Sequence, residues 1–187
     1  MKKKLIYFSE GVLIIILMTF LTSVWKDWCN HYFSNDAHCY FYQNRVDDII
    51  RVTLCVFKEE FIWRAIPLLI STVLIMMAKS KWAKIVVFIV CIIGVLCVQL
   101  QFGAVHFCNS VDTDRIEPMI IHGVAGIIFM VTYILVFCLA KIMSKWKHTK
   151  SLKLKIKTLM NAHVLGYCSA MVVHATSNVL VVLSETF

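Results

Sequence analysis

Lys58-Glu59-Glu60-Phe61-Ile62-Trp63-Arg64 runs directly into the apolar stretch from Ala65 to Ala78. Glu59, Glu60 and Arg64, after Lys58, therefore stand at the edge of a segment otherwise suited to lipid. A charge near the bilayer core costs several kcal/mol, so such residues usually face a protein interior and carry function. Two further apolar segments repeat the pattern. His106 closes the run from Ile85, in Phe102-Gly103-Ala104-Val105-His106, and His174 and Asn178 interrupt a third, in His174-Ala175-Thr176-Ser177-Asn178.

Composition agrees with a membrane setting. The 187 residues are 60% hydrophobic with 2 prolines, and the mean hydropathy of +0.78 is far above that of an ordinary soluble domain. A membrane helix needs about 20 mainly apolar residues. That rule gives about five spans: 5–25, 49–78, 82–106, 119–141 and 160–183. Backbone groups in lipid must be satisfied internally, so runs this long are helices. The expected fold is all-α: a single polytopic transmembrane helix bundle over 1–187, with its functional core at 50–180. The second span is long enough to tilt, or to start as an interfacial helix at Asp47 and Asp48.

The first span has the basic start of a signal peptide, Lys2-Lys3-Lys4. Trp25-Lys26-Asp27-Trp28 follows where small residues would mark cleavage, so an uncleaved anchor is expected. The formal charge of +8 is distributed against a nucleic-acid partner. Lysines collect at the N-terminus, in Lys79-Ser80-Lys81-Trp82-Ala83-Lys84 and between Lys141 and Lys157, while the alternate connections carry Asp36, Asp47, Asp48, Asp112, Asp114 and Glu117. Alternation of this kind follows the positive-inside rule and puts the N-terminus in the cytoplasm and the C-terminus outside. Trp25, Trp28, Tyr32, Tyr40, Tyr42, Trp82 and Trp146 sit near span ends as an interfacial belt. The 8 cysteines show no zinc-ligand spacing, and Cys29 and Cys39 share one outer loop where a disulfide could form.

Residues four apart on a helix share a face, whereas adjacent residues point about 100° apart. Glu60 and Arg64 can therefore pair, and Glu59 points elsewhere, without an obvious partner on its own helix. Phe102 and His106 share a face, as do His174 and Asn178. A bundle that turned these faces together would gather two carboxylates, two imidazoles, a carboxamide and an arginine. That set suits hydrolysis: a carboxylate or imidazole takes a proton from water, and N–H donors stabilise the oxyanion. The bland alternative is a structural polar cluster that fixes helix register. Phe102 reads as packing, and His163 as an interfacial or packing histidine.

Glu-Glu-x-x-x-Arg, then Phe-x-x-x-His, then His-x-x-x-Asn, in that order on separate membrane helices, resembles the CAAX-processing and bacteriocin-processing intramembrane proteases. The resemblance spans about residues 50 to 180. It implies an endopeptidase in which Glu59 and His106 activate water, His174 and Asn178 form the oxyanion hole, and Glu60 and Arg64 hold the geometry. It implies as partners a membrane-associated or secreted peptide or protein substrate and the lipid bilayer itself, with a prokaryotic cell membrane as the location. No cofactor is expected. No metal is expected either, because His-Glu-x-x-His is absent. Two other classes compete: a non-catalytic bacteriocin self-immunity protein of the same fold, and a small transporter or proton relay. The transporter lacks support, since no inverted repeat and no Pro/Gly-broken helix pair is evident.

Overall fold

A computed structural model describes residues 2–32, 45–108, 117–144 and 151–184. These residues form α1 (Lys2–Tyr32), α2 (Arg45–Glu60), a π-helical turn (Phe61–Ala65), α3 (Ile66–Met77), α4 (Lys81–Cys108), α5 (Glu117–Met143) and α6 (Leu152–Ser184). No strand occurs among the described residues. The fold is an all-α bundle.

Four helical stretches are long and apolar enough to cross a membrane: Ile6–Cys29, Thr53–Met77, Lys81–Val105 and Met119–Met143. They match the first four expected spans. The fifth expected span falls on α6, the longest helix at 33 residues. His163, Ser169, His174 and Ser177 are buried on its inner face, while Met160, Val164, Leu165, Val172 and Leu180 are exposed on its outer one.

Helices α5 and α6 form the centre. They pack on each other; α1 lies against both, α4 against α5, α2 against α6 and α3 against α4. Glycines mark the closest crossings. A Cβ on Gly103 of α4 would collide with the Met119 carbonyl and lie 3.0 Å from the Gly123 nitrogen of α5. A Cβ on Gly166 of α6 would meet the Tyr133 ring at 2.8 Å. Small residues at such crossings let backbones approach, the usual device where lipid supplies no hydrophobic drive between helices. The outward faces are correspondingly oily, with Leu13, Phe20, Met77 and Val90 all more than 60% exposed.

The second span is interrupted at one point, where an unbroken helix was expected. Phe61–Ala65 takes π geometry, and the Ile66 N–H bonds the Phe61 carbonyl five residues back. Pro67 supplies the reason. Its ring presses on the carbonyl four residues earlier, that of Trp63, and it has no N–H to give it. The wide turn relieves the clash, and Gln99 of α4 donates its Nε2–H to the Trp63 carbonyl at 3.0 Å. A membrane helix tolerates proline when a neighbour satisfies the freed group in this way.

Two aromatic hydrogen bonds tie the outer helices down. The Trp25 indole N–H donates to the Ile121 carbonyl at 3.1 Å, with Trp28 stacked on it at 5.3 Å. The Tyr167 hydroxyl donates to the Phe57 carbonyl at 3.0 Å. The possible Cys29–Cys39 disulfide lies outside the described residues, because Cys39 is not among them.

Candidate active site

Glu60, the last residue of α2, ends one turn before Arg64, and both are fully buried. Arg64 Nη1 donates to Glu60 Oε1 at 2.8 Å, the same-face pairing expected from their spacing. The guanidinium lies over the Phe102 ring at 4.1 Å and 5.3 Å from the Phe129 ring centroid. Aromatic faces stabilise a desolvated cation, most strongly where water is excluded. Gly126 of α5 leaves the room: a Cβ there would lie 3.0 Å from Arg64 Nη2 and 2.9 Å from Gln99 Oε1. A larger side chain would push directly into the buried charge.

His174 comes from α6 to the same carboxylate. Its Nδ1 is 2.8 Å from Glu60 Oε1, its ring stacks on Phe129 with centroids 4.2 Å apart, and Phe102 meets it edge-on at 6.3 Å. Glu60 Oε1 already accepts from Arg64 Nη1, and a proton on His174 Nδ1 makes the imidazole a second donor to the same oxygen. That leaves Nε2 facing the other carboxylate, with Glu59 Oε2 3.7 Å away. The two neighbouring glutamates differ sharply in surroundings. Glu60 is sealed, while Glu59 keeps 27% of its side chain exposed. Glu59 of α2 thus lies beside His174 of α6.

The bundle brings together Glu59, Glu60, Arg64, Phe102 and His174. Asn178 is half-buried one turn beyond His174 on α6. His106 lies on α4 one turn beyond Phe102, but its side chain is outside the described residues. Phe102, which reads as packing from the sequence, packs on Arg64, on His174 and on Trp63, whose ring centroid is 6.0 Å away. Among the described residues, no three His, Cys, Asp or Glu side chains are grouped to hold a metal ion.

Sequence reasoning missed four contributors. Gln99 supports the turn that carries Arg64, Pro67 creates it, Gly126 makes space, and Phe129 seats His174. Gln99 and Pro67 were detectable as a polar side chain and a helix breaker inside apolar runs. Gly126 and Phe129 resemble ordinary membrane-helix residues and carry no such signal.

The arrangement offers a carboxylate open to the surface next to an imidazole fixed by a buried ion pair. Two atoms 3.7 Å apart can both reach one water at hydrogen-bond distance, about 2.8 Å from each. Comparison with models of known protein families, with curated proteins and with solved structures finds no match.

Proposed function

We propose that this chain is an intramembrane endopeptidase that hydrolyses a peptide bond with glutamate-activated water. The observation that carries the reading is the division between Glu59 and Glu60. One carboxylate is spent on Arg64 and His174; the other stands partly open, 3.7 Å from the far nitrogen of the same imidazole. The motif resemblance to the CAAX-processing and bacteriocin-processing proteases supports the same assignment.

In this reading Glu59, with His106, takes a proton from water as its oxygen attacks the scissile carbonyl. His174 and Asn178 donate N–H groups to the oxyanion, and the proton held by Glu59 passes to the leaving amine as the C–N bond breaks. With Nδ1–H given to Glu60, His174 can donate from Nε2 only as the doubly protonated ring. Glu60 and Arg64 orient this imidazole and touch no substrate. The substrate is a membrane-inserted or secreted peptide or protein. The N-terminus lies in the cytoplasm and the C-terminus outside, in a prokaryotic cell membrane.

The test is cleavage of a panel of transmembrane peptides by purified protein in liposomes, with new termini identified by mass spectrometry. Glu59→Gln abolishes cleavage while the protein stays folded, and a strong chelator leaves wild-type cleavage intact. Identical peptide patterns from wild type and Glu59→Gln would overturn the assignment. A second reading, a non-catalytic self-immunity protein, is favoured by one observation: Arg64 Nη1 and His174 Nδ1 both meet the buried Glu60 Oε1, a contact a purely structural cluster would also make. It requires that no peptide in the panel is cut.

A further inference from the structure

Helix α6 is longer than a membrane is thick. Its 33 residues span about 50 Å at about 1.5 Å per residue, against about 40–45 Å for a bilayer with its headgroups. The surplus falls at the helix start. None of residues 151–158 is buried, and the first side chain that the bundle covers is that of Leu159. Two turns of helix therefore stand clear of their neighbours.

Those two turns expose oil and charge together. Leu152 is 66% exposed, Leu154 51% and Ile156 48%; Lys153 and Lys157 are exposed and Lys155 is half-buried. Leu152 and Ile156 lie four apart, in line with the buried Leu159 and His163. They prolong the bundle-facing stripe of α6 past the point where the bundle covers it. Lys153 and Lys157 flank that stripe on one side and Lys155 on the other. Water suits the lysines and not the leucines, and hydrocarbon the reverse. The headgroup layer takes both, because a lysine stem lies along apolar surface while its ammonium reaches the phosphates.

Charge narrows the partner further. The stretches 61–111 and 118–184 contain no Asp and no Glu, and Lys153, Lys155 and Lys157 form no ion pair among the described residues. A cavity of about 450 Å³ lies between α3, α4, α5 and the first turns of α6, with Met76, Phe88, Cys138 and Leu159 in its lining. The end of α3 and the starts of α4 and α6 thus share one end of the bundle. Lys79, Lys81 and Lys84 are exposed there too, around a Trp82 that is 77% exposed, as interfacial tryptophans are. A second copy meeting this surface through its own would set lysine against lysine. An anionic leaflet attracts each of them.

We infer that the first two turns of α6 bind the headgroup layer of an anionic leaflet, with Leu152, Leu154 and Ile156 at the acyl boundary and Lys153, Lys155 and Lys157 on phospholipid phosphates.

The full chain in lipid nanodiscs tests this, with a polarity-sensitive fluorophore on Ile156→Cys in a cysteine-free background. Adding phosphatidylglycerol to phosphatidylcholine discs shifts the emission to shorter wavelength, and about 0.5 M salt reverses the shift. Lys153→Gln, Lys155→Gln and Lys157→Gln together abolish it. In native mass spectrometry the unlabelled chain retains phosphatidylglycerol in preference to phosphatidylcholine, and Lys153→Gln and Lys157→Gln each lower that preference about fivefold. Emission indifferent to lipid charge, or a preference unchanged in the triple lysine variant, would overturn the inference. Energy transfer between labelled copies would do the same, by marking the surface as a contact between chains. Should the labelled variant not fold, the exposed-lysine variants decide it by mass spectrometry.

Discussion

Glu59 and Glu60 have the same side chain, and one helical step of about 100° gives them different fates. Glu60 turns inward to two donors, Arg64 Nη1 and His174 Nδ1, both at 2.8 Å. Glu59 turns to the bundle's margin. The buried pair predicts a particular stability pattern. Removing one partner strands a charge away from water, which costs about 3–5 kcal/mol, whereas replacing both with apolar groups of similar volume is often close to neutral. Glu60→Leu alone is therefore expected to lower thermal stability in detergent far more than Glu60→Leu combined with Arg64→Met. If the double variant were as unstable as the sum of the single ones, the pair would not be the coupled unit described here. Arg64 keeps Nε and Nη2 without hydrogen bonds among the described residues; the Phe102 and Phe129 faces partly offset this through the ring quadrupole.

At the scale of the element, the π turn between α2 and α3 sets the site's geometry. A single-turn π insertion is uncommon and often lies at functional positions. Here it follows from Pro67, and the Trp63 carbonyl then depends on Gln99. Gln99→Leu leaves that carbonyl without a donor and should cost about 1–3 kcal/mol of stability. Pro67→Ala restores an N–H four residues beyond Trp63, so the same Gln99→Leu change should cost measurably less in that background. A double-mutant cycle on unfolding in detergent reads the coupling, and additive costs would show that Pro67 and Gln99 act independently. The helix centre shows the same logic in α6, whose His163, Ser169, His174 and Ser177 are buried while the outward positions of α3 and α4 stay apolar.

For the whole molecule, a polar cluster and an apolar cavity occupy different ends of one bundle. Glu60 falls in the first third of Thr53–Met77 and Phe102 in the last turn of Lys81–Val105, so the polar cluster lies toward the end of the bundle where the second span begins. The cavity at Tyr133, His163 and Lys141 lies toward the opposite end. Charge distribution along the chain predicts which end faces the cytoplasm: lysines cluster in sequence where α3 and α5 end, and acidic residues where α2 and α5 begin. Single cysteines at Asp112 and Lys150 in a cysteine-free variant test this with an impermeant thiol reagent on intact cells. Labelling is expected at position 112 and not at 150. The reverse pattern would invert the topology and place the Glu59 side in the cytoplasm.

Sequence by itself determined the helical class, the order of the long helices and the Glu60–Arg64 pair, while α1 runs to Tyr32 and α6 starts at Leu152, beyond the expected bounds. Hydrophobic runs near 20 residues have one stable backbone solution in lipid, and same-face spacing is a local property of a helix. It also singled out His174 and Asn178 as unusual in an apolar segment, without indicating what His174 would touch. Only the tertiary structure decided that Glu60 serves Arg64 and His174 together, that Gln99 replaces the N–H missing at Pro67, and that Gly126 and Phe129 shape the pocket around a buried cation. Those outcomes depend on the rotation and depth of one helix against another. Rotation and depth are set by close packing at small residues such as Gly103, Gly123 and Gly166, and packing is a property of facing surfaces that no single segment contains.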